Sequence, residues 1–212
     1  MNATRMLAVM CAVLAPAAHA ADEPAIAGAA PAARAWSFGI TAYPTAVRGG
    51  EDYTSVIAVA DHDALHLEAR YNYESVGARS AYAGWTFKGG DVFTWQATPI
   101  VGGAWGTTQS FVAGVEASLA WRTLDLYVEA EHVPTSSQGD AYLYAWSEVG
   151  WRPVEWLRVG IVGQRTRAYG NDRTIQRGPF AQVTVGAFSI GVYGFNPGGD
   201  DQVITGMIGV KF

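Results

Sequence analysis

Charged side chains recur on alternate positions through this chain. Glu68 and Arg70 stand two apart, as do Glu129 and Glu131, and Glu116, Asp125, Glu148, Arg158 and Lys211 fall on the same parity of their own segments, with Gln96, Gln164 and Gln182 beside them. Residues two apart in an extended chain share a face, so these groups would collect on one side of a sheet. Around water-filled space, the excess of carboxylates would favour cations or basic solutes, because a ring of like charge selects the opposite ion. Across a narrow space, the same Glu, Arg and Gln side chains would pair with one another and close it, with Arg158, Glu148 and Glu129 as one network from nearby strands. Residue types alone leave both outcomes open.

Two other groupings could carry chemistry. Arg165, Arg167, Arg173 and Arg177 surround Tyr169-Gly-Asn-Asp172. Guanidinium groups bind phosphate bidentately, so a loop with these four would hold lipopolysaccharide phosphates or fold inward as a constriction; the alternative is a solvated loop with ordinary charges. His132 lies close to Glu131, Ser136 and Ser137, the residue types of a lipid-modifying hydrolase, yet no motif fixes a serine against the histidine as a nucleophile–base pair requires. No catalytic residue is therefore assigned. His62 and His66 are remote from His132, and no metal-ligand spacing or phosphate-cradling glycine loop is evident, so neither metal nor cofactor is expected.

The elements that must position these residues read as strands. From Trp36 onward the hydrophobic period is two, in segments of about ten residues split by Gly, Pro, Asn and Asp. Twelve strands are expected, at 36–44, 52–60, 64–73, 79–87, 91–101, 109–121, 124–132, 141–151, 156–166, 175–186, 187–195 and 202–212, with ten or fourteen as alternative counts. Short turns at Asp61-His62-Asp63, Lys88-Gly89-Gly90, Arg122-Thr123, Arg152-Pro153-Val154-Glu155 and Gly186-Ala187 alternate with longer loops. Outer-membrane barrels have this asymmetry, with short periplasmic turns and longer outer loops.

Period two also builds soluble sandwiches, and the faces separate the cases. Leu65, Leu67, Ala69, Tyr71 and Tyr73 oppose His66, Glu68, Arg70 and Asn72; Leu124, Leu126, Val128 and Ala130 oppose Asp125, Tyr127, Glu129 and Glu131. Trp36, Phe87, Trp121, Trp151, Trp156, Phe188 and Phe212 fall beside the short turns or the terminus, and Tyr43, Tyr53, Tyr71, Tyr73, Phe111, Tyr142 and Phe195 near the longer loops. Two aromatic belts are what the two water–bilayer boundaries select, whereas a sandwich core would concentrate rings mid-strand. The expectation is an all-β transmembrane antiparallel up-and-down barrel: a small passive, porin-like channel with a charged interior, or else a structural or binding barrel with a plugged interior. Glu68, Arg70, Glu116, Glu129, Glu131, Glu148, Arg158 and Gln164 would line that interior.

The chain of 212 residues opens with Arg5, an apolar run from Met6 to Ala15, and Pro16-Ala-Ala-His-Ala20. This reads as a signal peptide over 1–20, followed by an Ala/Pro-rich flexible segment over 21–35 and the barrel over 36–212. Cys11, the sole cysteine, falls inside the removed part. The formal charge of −5 argues against a nucleic-acid partner.

The last segment, Val203-Ile-Thr-Gly-Met-Ile-Gly-Val-Lys-Phe212, carries Ile204, Ile208, Val210 and Phe212 on one face and stops at phenylalanine. It resembles the C-terminal assembly signal of bacterial outer-membrane β-barrels, here carried by Ile208, Val210 and Phe212. The resemblance implies delivery by the barrel-assembly machinery to the outer membrane of a Gram-negative-type bacterium; the further expectation is a monomer in contact with outer-membrane lipids and lipopolysaccharide. Leu67-Glu-Ala-Arg-Tyr-Asn-Tyr73 and Gln164-Arg-Thr166 are similar to members of an uncharacterised barrel group, a likeness that brings no activity with it.

Overall fold

The computed structural model describes residues 35–134, 141–168 and 173–212. The expected signal peptide, nearly all of the segment after it, Ser136, Ser137 and Tyr169–Asp172 lie outside the described residues.

Twelve antiparallel strands follow one another in chain order: β1 Ser37–Val47, β2 Tyr53–His62, β3 Leu65–Tyr71, β4 Arg79–Trp85 with its continuation Phe87–Gly89, β5 Phe93–Trp105, β6 Ser110–Trp121, β7 Leu124–Val133, β8 Tyr142–Val154, β9 Leu157–Ala168, β10 Arg173–Val185, β11 Phe188–Phe195 and β12 Val203–Lys211. Each pairs with its sequence neighbours, and β1 pairs with β12. Both parts of β4 pair with β5 in one continuous register, Gly84 opposite Ile100 and Phe87 opposite Ala97. Reciprocal hydrogen bonds between Phe38 and Phe212 at 2.7 and 2.9 Å extend the closing seam to the end of the chain. No sheet edge is left, which satisfies the backbone without water.

The side-chain alternation puts apolar residues outside. Ile40, Leu67, Val101, Leu119, Leu126, Val149, Ile161, Ile190, Ile204 and Ile208 are exposed on the outer wall, while Glu68, Arg70, Glu129, Glu131, Glu148, Arg158, Gln164 and Gln182 are buried within. This inversion of a soluble protein is the pattern of a transmembrane barrel. Trp36, Phe87, Trp121, Trp151, Trp156, Phe188 and Phe212 are all exposed near the short turns, as expected of one interfacial belt.

The second belt needs correction. Only Tyr71 and Phe111 of its expected members are exposed, whereas Tyr43, Tyr73 and Phe195 are buried inside and Tyr53 and Tyr142 pack against the interior cluster. Tyr43 and Phe195 obey strict alternation; grouping them by nearness to the loops overlooks their inward parity. Tyr73 is turned by Asn72, whose φ of 55° breaks the extended run after Tyr71, so the ring that alternation would send outward points in.

The hairpin between β9 and β10 also continues farther than expected. Arg167 pairs in register with Arg173, so all four arginines of the expected outer-loop cluster stand on strands, carried there by a ladder that β-branched Thr166, Thr174 and Ile175 support. At the other end, β8 runs on to Val154 and confines the expected four-residue turn to Glu155-Trp156.

The turn from β4 to β5 depends on Gly90, with φ 96° and only 1.8 Å from the position of its missing Cβ to the Phe93 carbonyl oxygen. Gly90→Ala is expected to cost about 1–3 kcal/mol in urea unfolding of the refolded barrel. Gly49→Ala should cost less, since Gly49 shares the left-handed backbone but has open space around that position.

Candidate functional site

Two ion-paired networks and a set of aromatic rings occupy the interior. Arg70, on β3, reaches across to β7 and β6. Its Nε donates to Glu68 Oε1 at 2.5 Å and its Nη1 to Glu131 Oε1 at 2.5 Å. Glu129 Oε1 lies 3.3 Å from Nη1, and Glu116 Oε1 lies 3.8 Å from Nη2. The guanidinium is also flanked by rings, its Cζ 4.1 Å from the centroid of Tyr73 and 4.4 Å from that of Tyr82. Both phenols donate at 2.7 Å, Tyr73 to Glu129 and Tyr82 to Glu74. Four carboxylates thus face one guanidinium, which the flanking π faces further stabilise.

The second network centres on Arg158 of β9. Its Nε donates to Asp125 Oδ1 at 2.9 Å, and its Nη1 donates to Glu148 and, at 3.1 Å, to Gln182 Oε1. Arg152 donates to the other oxygen of Asp125. Trp146 Nε1 donates to Glu148 Oε1 at 3.0 Å, and Gln182 donates to the Tyr193 hydroxyl. Each carboxylate here has a cation close by, so burial does not strand its charge.

The structure buries Glu68, Arg70, Glu129, Glu131, Glu148, Arg158 and Gln164 inside the wall and brings Glu116 to 3.8 Å from Arg70 there; sequence parity assigns them to this side. It does not assign the partners. Glu129, expected beside Arg158 and Glu148, belongs instead to Arg70, and Gln164 bonds Gln176 across the β9–β10 hairpin. On β7, Glu131 is interior and His132 exposed on the outside, so the wall itself separates these two members of the alternative lipid-modifying grouping. Ile208 and Phe212 are exposed on the outer wall with Val210 partly so.

The aromatic filling is absent from the sequence-based expectation. Trp146, Tyr43, Tyr73, Tyr193 and Phe195 are among the largest fully buried side chains. Trp146 packs edge-on against Tyr193 and Phe195 at 5.6 and 5.4 Å between centroids. Tyr73, just beyond β3, meets Tyr144 of β8 at 6.3 Å. Four strands lie between those two around the wall by the shorter route, so this contact crosses the interior. A signal existed: Tyr144 and Trp146 share the parity of Glu148, and Tyr193 and Phe195 share that of Ser189.

These rings lie toward the longer loops. Toward the short turns the interior opens into a cavity of about 260 Å³, lined by Asp61, His66, Gln96, Glu116, Arg152, Arg158, Gln182 and Lys211 and floored by Tyr43 and Tyr127. The cavity thus has polar groups of both signs on its walls beside the Tyr43 and Tyr127 rings.

A closed antiparallel barrel with an apolar outside and a polar interior defines the class: the protein has the fold of a bacterial outer-membrane β-barrel of porin-like build. The KdgM porin, solved in complex with disordered oligogalacturonate, superposes with a TM-score of 0.52 at 11% sequence identity, over 82% of this chain and 98% of that one. Omp33 of Acinetobacter baumannii gives 0.46 at 10% identity over 84% and 98%, and OccK5 of Pseudomonas aeruginosa 0.44 at 10% over 82% and 66%. At these identities the likeness is one of fold. No protein-family description and no curated protein matches the chain.

Proposed function

We propose that this protein resides in the bacterial outer membrane as a closed barrel that takes a small polar solute into its short-turn end, facing the periplasm, rather than passing solutes through. The observation that carries this reading is the cross-interior contact of Tyr73 with Tyr144, continued by Trp146, Tyr193 and Phe195. In this reading the rings close the path for water across the interior. The cavity below them is smaller than most drug-sized ligand pockets and suits a molecule of few heavy atoms.

A passive cation-preferring channel is the second reading. The carboxylate excess around Arg70 and the porin-like build favour it. Planar-bilayer recording of the detergent-refolded barrel under a salt gradient separates the two. The closed reading expects an electrically silent but folded protein; steady cation-selective conductance would replace it with the channel.

On the loop side, Arg177 and Arg165 stand on the outward face of the β9–β10 hairpin, with Arg165 opposite the exposed Ile175. In this reading they meet lipopolysaccharide phosphates. The terminal strand with Ile208, Val210 and Phe212 serves as the assembly signal.

A further inference from the structure

His66, Glu68 and Glu116 come from β3 and β6 and place one imidazole nitrogen and two carboxylate oxygens within 4.8 Å of one another. His66 and Glu116 line the cavity. The His66 side chain is 91% buried, and its Nδ1–H donates to Asp61 Oδ1 at 2.7 Å. That bond fixes the ring and turns Nε2 inward, so a metal ion would take the place of any proton on it. Nε2 is fully buried and makes no hydrogen bond; Glu68 Oε2 stands 3.5 Å away. A carboxylate holding one ring nitrogen while the other faces two carboxylates is the arrangement that orients a histidine toward a metal ion.

Charge points the same way. Glu68, Glu116, Glu129 and Glu131 share Arg70 as their cation, and buried carboxylates in excess of cations are costly. Glu68 is gripped by Arg70 but retains acceptor capacity on Oε2. Glu116 is held only by a 3.8 Å contact and is 16% exposed to the cavity, so it has room to close the donor set to the roughly 2.0–2.2 Å of a metal–ligand bond.

We propose that His66 Nε2, Glu68 and Glu116 form a site for a divalent transition-metal ion of the zinc type, with Asp61 as the group that orients His66. One nitrogen and two carboxylate oxygens suit such an ion, and the remaining coordination position opens into the cavity, where water or a solute carboxylate would complete it. This deepens the reading of the cavity as a binding site by naming its ligand. It is independent of whether the barrel conducts.

The test is isothermal titration of zinc chloride into the purified barrel in detergent, with strand circular dichroism as the folding control. One zinc per chain is expected, with saturable binding lost in His66→Ala and in Glu116→Gln. Asp61→Asn is expected to bind about 10–100-fold more weakly. Cobalt loading should give visible ligand-field bands that His66→Ala lacks. No saturable binding by the wild type, or zinc affinity undiminished in folded His66→Ala, overturns the proposal. If His66→Ala does not fold, Glu116→Gln, which neutralises a lightly held carboxylate, decides in its place. Conductance reads closure and zinc titration reads the site, so the two readings fail separately.

Discussion

If the interior rings close the barrel, Trp146→Ala is expected to convert a silent barrel into a conducting one. The indole is fully buried at the centre of the interior, packs edge-on against Tyr193 and Phe195, and donates to Glu148. Truncation leaves a cavity bordered by Glu148, Gln182 and the Tyr193 hydroxyl, polar groups that hold water where the ring excluded it. The double variant Trp146→Ala/Phe195→Ala should conduct more, since it removes both members of one packed pair. The opening has a stability cost of about 3–5 kcal/mol for loss of a buried Trp, so retained strand circular dichroism must accompany the recording. Trp151→Ala is the control: that ring is 50% exposed on the outer wall, and its loss should leave the barrel silent. A folded Trp146→Ala barrel that conducts no better than the wild type would refute the packed rings around Trp146 as the barrier.

Arg70→Met should give the largest loss of stability among the interior charge changes, about 3–5 kcal/mol, read as a lower urea midpoint for unfolding from lipid vesicles. Methionine keeps much of the side-chain volume, so the loss reports charge. Without the guanidinium, Glu68, Glu129 and Glu131 stay buried and close together and lose the cation that all three face, and the Tyr73 and Tyr82 faces lose the group they flank. Adding Glu129→Gln to Arg70→Met removes one stranded charge and should recover part of the loss. Arg158→Met should be milder, because Arg152 still holds Asp125. Arg70→Met within about 1 kcal/mol of wild type would mean that the carboxylates do not depend on this one cation.

The difference between these two predictions mirrors what could be read from the chain. Glu68, Arg70, Glu129 and Glu131 were legible as interior because their segments alternate cleanly between apolar and charged residues. Tyr43 and Phe195 carried the same information, but aromatic rings are at home both at a bilayer boundary and in a packed interior, so residue type did not discriminate and parity was needed. Tyr73 was beyond parity, since the left-handed Asn72 reverses it. The metal-type grouping was hidden for another reason: His66 and Glu68 are two residues apart, whereas Glu116 arrives from β6, three strands away around the wall.

The all-β class and the twelve antiparallel strands were therefore contained in the chain itself. They follow from period two and from turn residues, which act over a few neighbours, and from the requirement that every backbone hydrogen bond be met in a membrane. Whether the interior is open or filled was decided at the level of the assembled barrel. The interior contacts join residues such as Arg70 and Glu131, 61 positions apart, and which side chains meet across the interior depends on the size and register of the whole ring of strands. No local pattern contains that geometry.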